Sequence, residues 1–256
     1  MDYLTPLQAD YQRLASVSEA ALGSKVPTCP EWTVNDIVNH VAHVYLHKVE
    51  CIRHNAQPDP WPPPGLAEGS RLELLHRAHR ELMAELTSHP SDAPAFGWYE
   101  EDRTVGFWWR RMAHETVIHR IDAELAAGVP SQPVPDDLAL DGIDELLVVF
   151  LAWSSMKWTE EFAAELEPKE PGSVAVSAGG KRWLASWEPT GVVTAALGDG
   201  PADAEISASS PEAMLRWLWR RSDGPDISDS APSPLTVSGD EAKVAQLRRL
   251  LGAATQ

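Results

Sequence analysis

The sequence predicts an α+β fold: an N-terminal up-and-down four-helix bundle followed by a small α/β domain with an antiparallel or mixed sheet. Three observations predict it. Apolar residues recur at helical spacing through roughly the first 160 residues. After Gly172 the pattern changes to short alternating runs separated by turn residues. All nine histidines lie between His40 and His119, so the two halves carry different chemical equipment.

The first helix spans Leu4 to Leu22, with Leu7, Tyr11, Leu14 and Val17 on one face and Gly23 as its stop. Thr33-Val34-Asn35-Asp36 opens a second helix reaching about Asn55, with Thr33 as the N-cap and Asp36 in the first turn, where a carboxylate suits the helix dipole. Ser70-Arg71-Leu72-Glu73 repeats the capping pattern and opens a third, to about Ser88. A fourth runs from about Thr104 to Ala127, closed by Gly128 with Pro130 beyond. Asp137 to Glu167 reads as one further helix leading out of the bundle, stopped by Pro168. Four long helices with connecting loops are the pattern of a bundle.

In the second part, Ser173–Ala178, Gly179-Gly180 and Lys181–Trp187 read as a hairpin. Val192–Leu197, Ala204–Ala208 and Leu235–Ser238 are further strands. Ser210 before Pro211 starts a helix to Arg221, and Asp240 caps a last helix to about Leu251. The domains expected are residues 1–167 and 168–256. Three proline-rich loops punctuate the chain, at Pro58–Gly65, Val129–Pro135 and Ser222–Pro234.

Composition sets outer limits. The chain has 256 residues, 43% of them apolar and 23% charged, which is globular composition. With 21 basic against 38 acidic residues the net charge is −17, which disfavours nucleic acid and anionic membranes as partners. No apolar run is long enough for a membrane span, and the N-terminus lacks the basic and apolar regions of a signal peptide. Cys29 and Cys51 are the only cysteines, too few for a disulfide framework. A cytoplasmic protein, monomeric or weakly homo-oligomeric, is expected.

The chemistry concentrates in Arg110 to Asp122, RRMAHETVIHRID. This is not the HExxH zinc motif. His114 and His119 are five apart, about 140° around a helix at roughly 100° per residue, and face differently. Glu115 and His119 are four apart and share a face, so their carboxylate and imidazole can grip one divalent metal. A third ligand must come from elsewhere. His40, His43, His47 and His54 form a stripe on the second helix, and any of them is a candidate. His40, among Ile37, Val38 and Val41, has the most apolar surroundings.

Asp122 follows His119 by three and can orient it, or pair with an arginine. Arg111, one turn before Glu115, can meet a carboxylate or lie on the helix surface. His114, Trp108 and Trp109 have packing roles as ready alternatives. Cys29 and Cys51 read as small buried hydrophobes. Neither a Gly-rich phosphate loop nor a serine nucleophile elbow is present.

Cys29-Pro30-Glu31-Trp32-Thr33-Val34, His40 eight residues after the Trp, and RRMAHETVIHRIDAE together resemble the mycothiol-dependent maleylpyruvate isomerase family. The resemblance covers essentially the whole chain. It implies a DinB-like four-helix bundle joined to a domain resembling sterol carrier proteins. It also implies His40, Glu115 and His119 as three ligands of Zn²⁺ or another divalent metal.

By the same resemblance mycothiol, a low-molecular-weight thiol co-substrate, binds as a metal-bound thiolate and attacks an electrophilic small molecule. In isomerase members it adds to a cis double bond, the bond rotates and the thiol leaves. In transferase members the adduct is the product. A metal site with an open position also serves a hydrolase using bound water, or a protein that binds metal or a small ligand without turnover. Near Trp217 to Arg221 the family pattern resembles Trp-Gly-Arg. Arg221 then matches the family arginine, with a catalytic, anion-binding role toward thiol or substrate, and Arg220 stands where the family has Gly. The active site is expected where the bundle mouth meets the second domain.

Overall fold

A computed structural model describes residues 1–66, 69–221 and 235–255. The expected loop at Ser222–Pro234 therefore lies outside the described residues. The chain is mixed helix and sheet, as expected, and divides into two compact units, Met1–Gln132 and Pro133–Gln256. No helix among the described residues is long and apolar enough to cross a membrane.

The first unit contains α1 (Leu4–Ala21), β1 (Lys25–Val26), β2 (Cys29–Thr33), α2 (Val34–His54), α3 (Arg71–Ser88) and α4 (Val105–Ala127). The four helices match the periodicity of the sequence, and their starts match its capping residues. Asp36 Oδ2 accepts from the backbone N–H of Thr33 at 2.8 Å and from its hydroxyl at 2.6 Å. Thr104 Oγ1 accepts from Phe107 N at 3.2 Å, which gives one orphan N–H of α4 a partner. Gly128, at φ +63°, closes the same helix with its N–H on the carbonyls of Glu124 and Leu125.

Helix α1 packs chiefly on α4 and α2 on α3, and α2 also faces α4. The seam between them is filled by Leu7, Leu14, Ile37, Tyr45, Leu75, Leu82, Trp108 and Met112, all buried. Helix α4 is buried almost all round, so its polar residues must find partners inside the bundle. The short β1–β2 hairpin, pairing Val26 with Cys29, is absent from the sequence reading. Two-residue strands carry no alternation to detect.

The second unit begins with helices. Where one continuous helix was expected over Asp137–Glu167, the structure has α5 (Asp136–Asp144), a π-helical segment (Glu145–Trp153), α6 (Ser154–Lys157) and α7 (Thr159–Glu165). The π segment, ELLVVFLAW, is apolar almost throughout, so its wider winding leaves no periodic trace. The helix breaks at Trp158, at φ −122° and ψ 47°.

Strands β3 (Gly172–Ala178), β4 (Lys181–Trp187), β5 (Val193–Leu197), β6 (Ala204–Ala208) and β7 (Leu235–Gly239) form one sheet in the order β5-β4-β3-β6-β7. The β3–β4 hairpin pairs Ala178 with Lys181 across Gly179 and Gly180. The β3–β6 pair is parallel and the others are antiparallel, so the sheet is mixed. Two helices complete the unit, α8 (Pro211–Leu218) and α9 (Glu241–Ala254). Helix α5 packs on α8 and the π segment on β5. The units thus divide at the proline-rich stretch after Val129, whereas the change from helix to strand comes only at Gly172.

Candidate metal centre

The site forms where α2 and α4 face each other. His40 comes from the second turn of α2, Glu115 and His119 from successive turns of α4. His40 Nε2 lies 3.0 Å from Glu115 Oε1, and His119 Nε2 lies 3.3 Å from the same oxygen. One ligand atom from each of the three residues lies within 4.8 Å of the others. Of the histidine stripe on α2, His40 is the one that joins this cluster. The rest of the stripe is engaged elsewhere: His43 Nδ1 donates to the Asn39 carbonyl at 2.7 Å, His47 Nδ1 meets Cys51 Sγ at 3.4 Å, and His54 Nε2 meets Glu50 at 3.2 Å.

The surroundings orient each of the three. His119 Nδ1 donates to Asp122 Oδ2 at 3.1 Å, which leaves Nε2 to face Glu115. Asp122, fully buried, is itself held by the Thr28 hydroxyl, which donates to Oδ1 at 2.6 Å. Arg111 donates to Glu115 Oε2, so the two carboxylate oxygens have separate duties. Trp32 of β2 lies against both histidine rings, 5.1 Å from His40 and 6.4 Å from His119 between centroids. The hairpin that sequence reasoning missed therefore supplies both Thr28 and Trp32. Trp32 had a signal in the CPEWT run, whereas Thr28, just before it, had none.

Electrostatics fit a cation. Burial alone would raise the Glu115 carboxyl, but the charges of His119 and Arg111 and hydrogen bonds from both histidines hold it well below the usual carboxylate range. Burial would lower His119, yet Glu115 and Asp122 push it up to about 9. A field that retains a proton on His119 is a field that favours a divalent cation among the same atoms. Two imidazoles and one carboxylate are the donor set of open, catalytic zinc sites. Beside the cage, Glu31, Trp32, Asp36, Asn39, His40 and His43 line a surface groove.

Other expected residues have plainer placements. Trp108 Nε1 donates to the Phe96 carbonyl at 3.0 Å and Trp109 Nε1 to that of Leu86 at 2.9 Å, so both serve packing. His114 is buried edge-on to Tyr3. Cys29 is half-buried and Cys51 buried, both as free thiols. In the second unit, Arg221 Nη1 donates to the Trp219 carbonyl at 2.6 Å. The end of α8 is a Schellman turn: Arg221 N bonds to Arg216 O at 2.7 Å and Arg220 N to Trp217 O at 3.0 Å. Arg220 occupies the left-handed position of that turn, at φ +60°. The backbone keeps a glycine's conformation although the residue is an arginine.

Comparison with known proteins gives a consistent picture. Residues 8–124 match the model described as the mycothiol maleylpyruvate isomerase N-terminal domain, and residues 137–246 that of its C-terminal domain. No curated protein sequence matches the chain. Two of the solved structures that match show the same fold. One is a histidine-to-alanine mutant of the mycothiol-dependent maleylpyruvate isomerase, with TM-score 0.58 and 13% identity over 91% of this chain and 94% of that one. The other is the same enzyme without the mutation, with TM-score 0.56 and 14% identity over the same shares.

Proposed function

The chain belongs to the mycothiol-dependent maleylpyruvate isomerase family, and we propose that it is a divalent-metal enzyme that activates mycothiol for attack on an electrophilic small molecule, as an isomerase or S-transferase. The observation that carries this reading is the convergence of His40, Glu115 and His119 with Asp122 behind them.

A divalent cation held by His40 Nε2, Glu115 Oε1 and His119 Nε2 would lower the pKa of a thiol, so that thiolate predominates near neutral pH. The chain's own residues do the rest. Arg111 keeps Glu115 ionised through Oε2 and leaves Oε1 as the ligand oxygen. Asp122 fixes the His119 tautomer, and Thr28 fixes Asp122. Arg111 and Arg221 are the cations proposed for anionic groups of thiol and substrate.

In the isomerase form, sulfur bonds to one carbon of a conjugated cis double bond and the π pair moves onto the conjugated carbonyl. Rotation follows about what is now a single bond. The pair then returns, the carbon–sulfur bond breaks and the thiolate is regenerated, so the co-substrate is not consumed. Two free cysteines and a thiol co-substrate suit a reducing cytoplasm.

Calorimetry with mycothiol is the test. Binding to zinc-loaded protein and none to His119→Ala is expected. Thiol-free ester or amide turnover, without mycothiol binding, would instead indicate a hydrolase.

A further inference from the structure

The seam that holds the candidate metal centre continues away from it along α2 and α4. Eight residues after His40 on α2 stands Lys48, and seven residues before Glu115 on α4 stands Trp108. The Lys48 ammonium lies over the Trp108 ring, 4.8 Å from its centroid, so the two helices are antiparallel here. Its other contact is His47 Nδ1 at 3.2 Å. Among the described residues no carboxylate lies within ion-pair distance of Lys48.

That is an unusual position for an ammonium in a chain of net charge −17. Lysines are seldom buried without a carboxylate, because desolvation disfavours the charge. Burial first, with the Arg111 charge, lowers the Lys48 pKa, and the nearby Cys51 and Glu115 only partly oppose it. Glu115 cannot serve as its counter-ion, because one oxygen faces the two histidines and the other takes Arg111. Lys48 and Arg111 thus both act on the same neighbourhood as Glu115, whose two oxygens are already engaged. Lys48 is half-buried and not sealed in the core.

We propose that Lys48 binds a carboxylate of the electrophilic substrate, and so sets the enzyme's preference for anionic substrates. The inference rests on the thiol-transfer reading for the identity of the site, but its charge argument concerns Lys48 alone. A carboxylate here would pair with the ammonium and present the rest of a short substrate toward Glu115 and the histidines. The face of Trp108 stabilises the ammonium when the site is free.

Maleate, a cis-dicarboxylate, is the probe. Its affinity is measured by calorimetry on metal-free and zinc-loaded protein, for the wild type, Lys48→Met and Lys48→Arg. The expected result is maleate affinity lower by about ten-fold or more in Lys48→Met, the size of one charge-assisted contact. Lys48→Arg should restore most of it, which a purely structural lysine would not predict. Thermal melting identifies a misfolded Lys48→Met protein, in which case the Lys48→Arg and Lys48→Gln comparison decides. Equal maleate affinity in the wild type and the neutral variant overturns the proposal. So does absence of maleate binding to the wild type, or a loss confined to mycothiol. Zinc content and mycothiol binding are measured on the same samples, so a failure of the metal–thiol reading shows separately from a failure at Lys48.

Discussion

His119 and Asp122 are joined by a 3.1 Å hydrogen bond from Nδ1 to Oδ2, and that bond decides which face of the imidazole looks into the site. An imidazole has two nitrogens, and only the one left free of hydrogen bonding can act as a ligand. Asp122 is buried and is held in turn by Thr28. Asp122→Asn should therefore lower metal affinity by about 10–100-fold while leaving the fold intact. Competition with a chromophoric chelator measures this. Unchanged affinity would mean that the bond does not orient the ligand.

Arg120 should dominate the stability of the bundle. It is fully buried, with Nε on Asp10 at 2.9 Å and Nη1 on Glu124 at 2.8 Å and on the Gln132 carbonyl at 2.6 Å. Burial would raise Glu124, but Arg13, Ser131 and Arg120 together hold it below the usual range. Arg120→Met removes the shared cation: buried Asp10 loses its ion-pair partner, and Glu124 keeps only Arg13 as a cation among the described residues. A loss of about 3–5 kcal/mol is expected in urea denaturation. A loss below about 1 kcal/mol, the ceiling typical of surface pairs, would show that the network is solvated.

His79 should make the fold acid-sensitive. It is buried, stacked on Tyr11 at 3.5 Å between centroids, and its Nε2 finds no partner among the described residues. Burial first, then the charges of His76 and Arg80, push its pKa down to about 4. In the unfolded chain it titrates near its ordinary value of about 6.5. The unfolded state therefore binds the extra proton first, and stability falls as pH drops from about 6.5 toward 4. The loss is about 3 kcal/mol at most. Because other groups also titrate, the informative quantity is the difference between wild type and His79→Phe. Their stabilities should diverge across this window, and parallel curves would contradict the assignment.

Arg220 should be a place where glycine stabilises. A left-handed conformation costs a non-glycine residue about 1 kcal/mol. Arg220→Gly is expected to gain about 0.5–1 kcal/mol, less whatever its side chain contributes by lying against Gly252. Chemical denaturation measures it. A net loss would mean that the arginine side chain contributes more than the strain removes.

Much of this was legible in the sequence, for identifiable reasons. Helices α1 to α3 announce themselves by their apolar period, and α2 and α3 also by the caps Thr33 and Ser70; α4, buried almost all round, is bounded instead by Gly128 and Pro130. The strands after Gly172 alternate, and so are equally visible. The π segment is not, since ELLVVFLAW has no polar face to mark its winding. Glu115 and His119 could be paired from their spacing alone, because four residues place them on one helix face. Choosing His40 over His43, His47 and His54 required either resemblance or coordinates, since the choice depends on how α2 is rotated against α4. Thr28 and Lys48 gave no signal, because a single hydroxyl or ammonium acquires its role only from what the fold sets beside it.

The central claim is that His40, Glu115 and His119 form one divalent-metal site, and metal analysis of purified protein tests it most directly. About one zinc or other divalent ion per chain is expected for the wild type, as one three-ligand site requires, with loss of that ion in His40→Ala, Glu115→Ala and His119→Ala. Metal content unchanged across the three folded variants would contradict the account.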